Sequence, residues 1–138
     1  MRQREFLLSL AELIDRMTIT QIKTVLVPGD KEDFLRELER LRSDIDGIIA
    51  ERGIEFTGEV LQSVIILSQL NLHIWKNKDE MQKVVGRDSE YLQLLKHAHQ
   101  LNGYRNSIKN SLLKLEVHVD QSQVRSNFEV DGLKLDLI

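Results

Sequence analysis

Arg105 occupies a position where a helical repeat would place leucine. Leu94, Leu101, Ile108 and Leu112 surround it at helical spacing, with Asn102 and Lys109 beside it. Two earlier segments carry comparable misfits: Asp15 among Ile19, Ile22 and Leu26, and Asn71 among Leu67, Leu70 and Ile74. A charge within an apolar stripe is costly unless it is paired and hydrogen-bonded, so the pattern predicts a polar cluster inside a helical bundle. Asn71, Trp75 and Asp79 form one helical row, and Asn102, Arg105 and Lys109 form another. Asp15 or Asp79 is expected to hold Arg105 in a forked, two-bond geometry. Asn71 and Asn102 would satisfy the remaining polar groups, and Trp75 would cover one side. If the cluster opens to solvent, Arg105, Lys109 and Lys23 have the chemistry to bind phosphate or another anion. If it is closed, it is a structural network that specifies helix order or pairing.

Other chemistry is less well supplied. A helical nucleotide pyrophosphohydrolase needs several carboxylates converging on Mg²⁺. Glu12 and Asp15 have one useful spacing, and Glu37, Asp44, Glu51 and Glu55 add further acids, but paired acidic motifs on two helices are absent. Magnesium therefore enters only under that alternative, and no cofactor is otherwise expected. His73, His97, His99 and His118 are scattered, and His97 and His99 do not share a helical face. The serines lack an activating partner at recognisable spacing, and there is no glycine-rich phosphate loop. Arg36, Arg40 and Arg42 are interleaved with Glu32, Glu37 and Glu39, which describes a mixed-charge solvated face rather than a nucleic-acid stripe.

Four long segments with helical periodicity must position these residues. The first is expected over residues 3–26, with Phe6, Leu7, Leu10, Leu13, Ile14 and Met17 on one face and Asp15, Ile19, Ile22 and Leu26 on a second. A helix with two apolar faces belongs inside a bundle, or between a bundle and a second subunit. Pro28-Gly29 ends it. A second helix is expected from Asp30, with Asp30 as cap and Asp33 as a short capping-box acid. Its stripe is Phe34, Leu38, Leu41, Ile45, Ile48 and Ile49; Gly47 either permits a close helix contact or is a tolerated surface glycine. Residues 50–58 connect, with Phe56 placed to pack across a bundle end. A third helix over 58–84, capped by Thr57, is expected to be the most buried. A fourth runs from Ser89 to about Val119. Short connectors favour antiparallel neighbours. Phe128 to Leu135 alternates about Asp131-Gly132, the sequence form of a two-residue β-hairpin, with a mobile tail as the other reading.

The 138 residues suit one ordinary domain, with 41% hydrophobic and 30% charged residues, a globular composition. A net charge of -3 provides no overall electrostatic pull on nucleic acid. Cysteine is absent, which excludes disulfides, thiol catalysis and thiolate metal sites and fits a cytoplasmic location. The opening residues superficially resemble a signal peptide, but Glu12 and Asp15 interrupt the apolar stretch and no small-residue cleavage site follows. No uninterrupted apolar run approaches membrane-spanning length.

Three short blocks resemble those of a family of small helical proteins from bacteria and tailed phages. They are LAELIDRMTITQIK at residues 10–23, NLHIWKNKD at 71–79 and NGYRNSIK at 102–109. The ordered trio is more specific than any one block. Relatives often have Glu-Asp where this chain has Lys78-Asp79, and arginine where it has Gln82. The resemblance implies a helical fold and an origin in phage or bacteria, and carries no catalytic assignment. The expectation is therefore an all-α, antiparallel four-helix bundle over residues 1–119 with a tail or β-hairpin appendage over 120–138. It would serve as an accessory or protein-interaction module, whose partner is a host or viral protein or a second copy in a homodimer. The alternative is Mg-dependent nucleotide pyrophosphohydrolysis or phosphate-ligand binding.

Overall fold

A computed structural model describes residues 8–116, which form four α-helices: α1 (Leu10–Leu26), α2 (Glu32–Arg52), α3 (Gly58–Lys83) and α4 (Asp88–Glu116). The described chain is all helical, and none of its helices is long and apolar enough to cross a membrane. The expected hairpin at 128–135, and the part of the first segment before residue 8, lie outside the described residues.

Local chemistry sets the helix ends. α1 begins at Leu10, inside the expected span 3–26, of which residues 3–7 lie outside the described residues. Ser9 is extended (φ -71°, ψ 160°), and its hydroxyl accepts the amide of Glu12, so the chain enters the helix there. α2 begins at Glu32, two residues after the expected start. Asp30 still accepts the Glu32 amide at 2.9 Å, but from outside the helix, while Asp33 pairs with Arg36 instead of closing a capping box. α2 stops at Gly53, whose φ of 60° is the left-handed conformation that glycine adopts freely. Thr57 caps α3 as expected, accepting the Val60 amide at 3.3 Å.

The packing is less regular than a square bundle. α1 packs against all three other helices, α3 packs on α4, and α2 rests on α1 while barely touching α3 or α4. That central position explains the two apolar faces of α1. Seven of its seventeen residues are buried, against seven of twenty-six in α3, so α1 and not α3 is the most buried helix. α3 needs only part of its circumference inside, and Leu61 and Ile65 remain exposed. α1 and α4 run antiparallel, because contacts pair Leu10 with Glu116, Glu12 with Lys109 and Asp15 with Arg105. The core unites Leu10, Leu13 and Ile14 of α1 with Leu41 and Ile48 of α2, Val60 and Leu67 of α3, and Ile108 and Leu112 of α4. Gly47 lies against no neighbouring helix, since a side chain there would meet nothing within 4 Å.

Candidate functional site

Asp15 is the centre of the polar cluster. It lies on the side of α1 that faces α3 and α4, and it is 2% exposed. Arg105 of α4 forks onto it: Nε donates to Oδ1 at 3.0 Å and Nη2 donates to Oδ2. From α3, the Asn71 amide donates to Asp15 Oδ1 at 2.8 Å and to the Thr18 hydroxyl at 2.7 Å. Thr18 in turn donates to the Asp15 carbonyl. Lys109, one turn beyond Arg105, stands 2.7 Å from Glu12 and 3.7 Å from Asp15 Oδ2. Among the described residues, no buried side-chain nitrogen or oxygen lacks a hydrogen-bond partner.

Two opposed effects act on the Asp15 carboxyl. Burial pushes its pKa up, but hydrogen bonds from Arg105 and Asn71 and the charges of Arg105 and Lys109 together hold it below the usual aspartate value. The hydrogen bond to Asp15 raises the Arg105 pKa against the opposing effect of burial, and the charges of Asp15 and Glu12 add to the rise. Asp15 is therefore an anion at neutral pH, with its charge matched inside the bundle. Its oxygens face donors and its guanidinium partner is already engaged, so this is not the environment of a general base poised near neutrality.

Of the residues singled out from sequence, Asp15, Asn71, Arg105 and Lys109 come together. Asp79 does not: it is exposed, and Arg105 chooses Asp15. Eight residues of α-helix advance about 12 Å and turn roughly 80° past two full turns, which carries Asp79 away from the face of Asn71. Lys23 is displaced from Asp15 by the same eight-residue step and lies half-buried in the last turn of α1. Asn102 turns back on its own helix, donating to the Ala98 carbonyl at 3.0 Å. Trp75 is half-buried one turn beyond Asn71. Among the described residues, no group of three or more histidine, aspartate or glutamate side chains is arranged to hold a metal ion.

The structure adds a second buried carboxylate that the sequence reading missed. Glu116 accepts the amide of Leu10 at 2.8 Å through Oε2 and pairs with Arg52 at 2.8 Å through Oε1. One side chain from the end of α4 thus caps the start of α1 and holds the last turn of α2. A signal was present, because Glu116 lies four residues beyond Leu112 and eight beyond Ile108, in line with the same stripe that exposed Arg105 as a misfit. Asn77 is a similar case: buried in α3, three residues after Ile74, it donates to the Leu94 carbonyl of α4 at 3.1 Å.

The flank of α1 next to the network is apolar and open, with Thr18 at the boundary of the two. Because α2 and α3 barely touch, a groove of about 640 Å³ remains, floored by Ile14, Met17 and Ile22 and walled by Ile45 on one side and Val64 and Leu72 on the other. Val25, Leu26 and Phe56 line it while remaining 70%, 45% and 48% exposed. Arg42, Asp46 and Lys76 stand at its rim. The second apolar face expected of α1 contributes Ile22 and Leu26 to this groove, whereas Asp15 from the same row turns into the polar network.

No protein-family model matches the chain, and no match was found to a curated protein or to a solved structure.

Proposed function

We propose that this chain is an accessory protein that works as a protein-interaction module, presenting the groove between α2 and α3 to another polypeptide. Its resemblance to small phage and bacterial proteins is part of the same proposal. The observation that carries it is the contrast between two adjoining flanks of α1. On one flank, every buried side-chain nitrogen or oxygen of the described residues has an internal partner, and the arginine best suited to bind an anion is already forked onto Asp15. On the other, large apolar side chains line an open cleft. Contiguous apolar surface rimmed by charge favours a polypeptide partner over a phosphate ligand. In this reading the Asp15 network is a positioning device. It sets how α1, α3 and α4 pack and so fixes the floor and one wall of the groove.

The test is cross-linking mass spectrometry on the native protein, repeated with Leu72→Asp, a substitution in the groove wall that follows Asn71 in sequence but takes no part in the network's hydrogen bonds. A defined polypeptide cross-linked beside the groove in the wild type, and lost in a folded Leu72→Asp protein, is the expected result. Mg²⁺-dependent pyrophosphate release from a nucleoside triphosphate, abolished by neutralising Glu12 and Asp15, would overturn the reading in favour of catalysis.

A further inference from the structure

The rim of the groove carries a charge pattern that is complementary to itself. Arg42 and Asp46 both line the groove and lie one turn apart on α2. Among the described residues neither has an ion-pair partner, although each is in reach of the other along the helix. An interface between identical chains about a two-fold axis must use one patch that is complementary to itself. A basic and an acidic residue one turn apart meet that requirement when the two helices lie antiparallel, because each charge then faces its opposite.

We propose that the occupant of the groove is α2 of a second copy of this chain, antiparallel to α2, with Arg42 of each copy opposite Asp46 of the other. This rests on the interaction reading and names its partner. A second feature of α2 fits the same register. Leu35 lies seven residues before Arg42, hence on the same helical face, and is 52% exposed. The register that sets Arg42 against Asp46 brings Leu35 opposite Gly53, where no heavy atom lies within 4 Å of the position a Cβ would take. Phe56, at the end of the groove, is three residues away and half-exposed. The protruding leucine of each copy therefore meets open space beside a half-exposed aromatic ring on the other. Both charged pairs and both apolar contacts form together, and they also set the direction of the two helices.

Charge exchange tests the register. Sedimentation equilibrium is measured on the full chain as wild type, Arg42→Asp, Asp46→Arg, an equimolar mixture of these two single variants, and the doubly exchanged Arg42→Asp/Asp46→Arg protein; circular dichroism melts check that each folds. The wild type is expected to be a dimer. Each single variant replaces two attractive pairs with two repulsive ones and should weaken dimerisation by about tenfold or more. In the mixture, and in the double variant, opposite charges face each other again, so Kd should return to within about threefold of wild type. Loss in the single variants without recovery in the mixture overturns the proposed register. A wild type that stays monomeric to its highest soluble concentration overturns self-association. If Leu72→Asp still abolishes binding of a foreign polypeptide to that monomer, the interaction reading stands alone; if it changes nothing, both fall. Cross-links joining residues 117–138 to Lys76 within a monomer would assign the groove to the chain's own C-terminal residues and would also overturn the proposal.

Discussion

Asp15 and Arg105, ninety residues apart in sequence, meet as a forked ion pair that joins the middle of α1 to the middle of α4. The carboxylate is 3% exposed at its side chain and the guanidinium 26%. A pair this buried is costly to assemble and more costly to break, because removing one partner strands the other.

Arg105→Met should therefore destabilise the fold by about 3–5 kcal/mol, the usual effect of leaving a buried charge without its partner. Urea unfolding monitored by circular dichroism measures it. The triple variant Asp15→Leu/Asn71→Leu/Arg105→Met removes the charge together with the groups that hydrogen-bond it, and it should recover most of the loss. A penalty below about 1 kcal/mol for Arg105→Met would assign the pair to the weak class of exposed ion pairs and remove its role in fixing the helices.

The Asp15 pKa makes stability depend on pH in a definite direction. Its value in the folded protein lies below the unfolded value of about 3.9, so above that value the stabilisation is complete. As pH falls between the unfolded and folded values, the unfolded chain takes up a proton that the folded chain does not, and stability drops. It is lost once pH passes below the folded value. In Arg105→Met, burial is no longer offset by the guanidinium, so Asp15 takes up its proton at higher pH than in the wild type; the difference between the two proteins should shrink as pH falls through that raised value and level off below the folded wild-type value. Unfolding titrations from pH 7 to pH 2 would show it; a difference that grows toward acid contradicts the assignment.

Polar residues at apolar positions were legible, and they led to Asp15, Asn71 and Arg105 because a misfit in a helical stripe has few low-energy explanations. Which carboxylate Arg105 would take was not legible, since Asp15 and Asp79 differ only in the helix rotation that one of them accumulates relative to the cluster. The two apolar faces of α1 foretold a central helix, but its rank above α3 depends on α2 resting on α1 alone, a matter of tertiary packing. The groove was not legible for the same reason: periodicity reports which face of a helix is apolar, not whether a neighbour covers it. The break before Leu10 was not legible, because apolar periodicity runs on through Phe6 and Leu7 in the sequence and only a local side-chain cap at Ser9 marks the boundary.

The boundary of the network can be tested by residues left outside it. Asp79→Ala and Asn102→Ala should each change stability by no more than about 0.5 kcal/mol, because Asp79 is exposed and Asn102 bonds back onto its own helix. Asn71→Ala should cost about 1–3 kcal/mol, because it removes a buried donor to both Asp15 and Thr18. Equal penalties for Asp79→Ala and Asn71→Ala would place Asp79 inside the cluster after all.

Glu116 provides the last test, because its two oxygens do separable work. One accepts the backbone amide of Leu10, which no carbonyl within α1 can reach; the other pairs with Arg52, whose side chain is 41% exposed. Glu116→Gln keeps an oxygen for Leu10 and loses the charge, so it should cost about 1 kcal/mol, the net contribution of one hydrogen bond to a partly exposed partner. Glu116→Ala strands the Leu10 amide as well and should cost about 2–3 kcal/mol. The distinction should also be local. Amide hydrogen exchange in the first turn of α1 should quicken in Glu116→Ala and stay near wild type in Glu116→Gln, because only alanine removes the acceptor. Arg52→Ala should resemble Glu116→Gln in its stability cost and leave the first turn of α1 protected. If glutamine and alanine at 116 are equally destabilising and equally deprotect α1, the charge rather than the amide contact holds the three helix ends together.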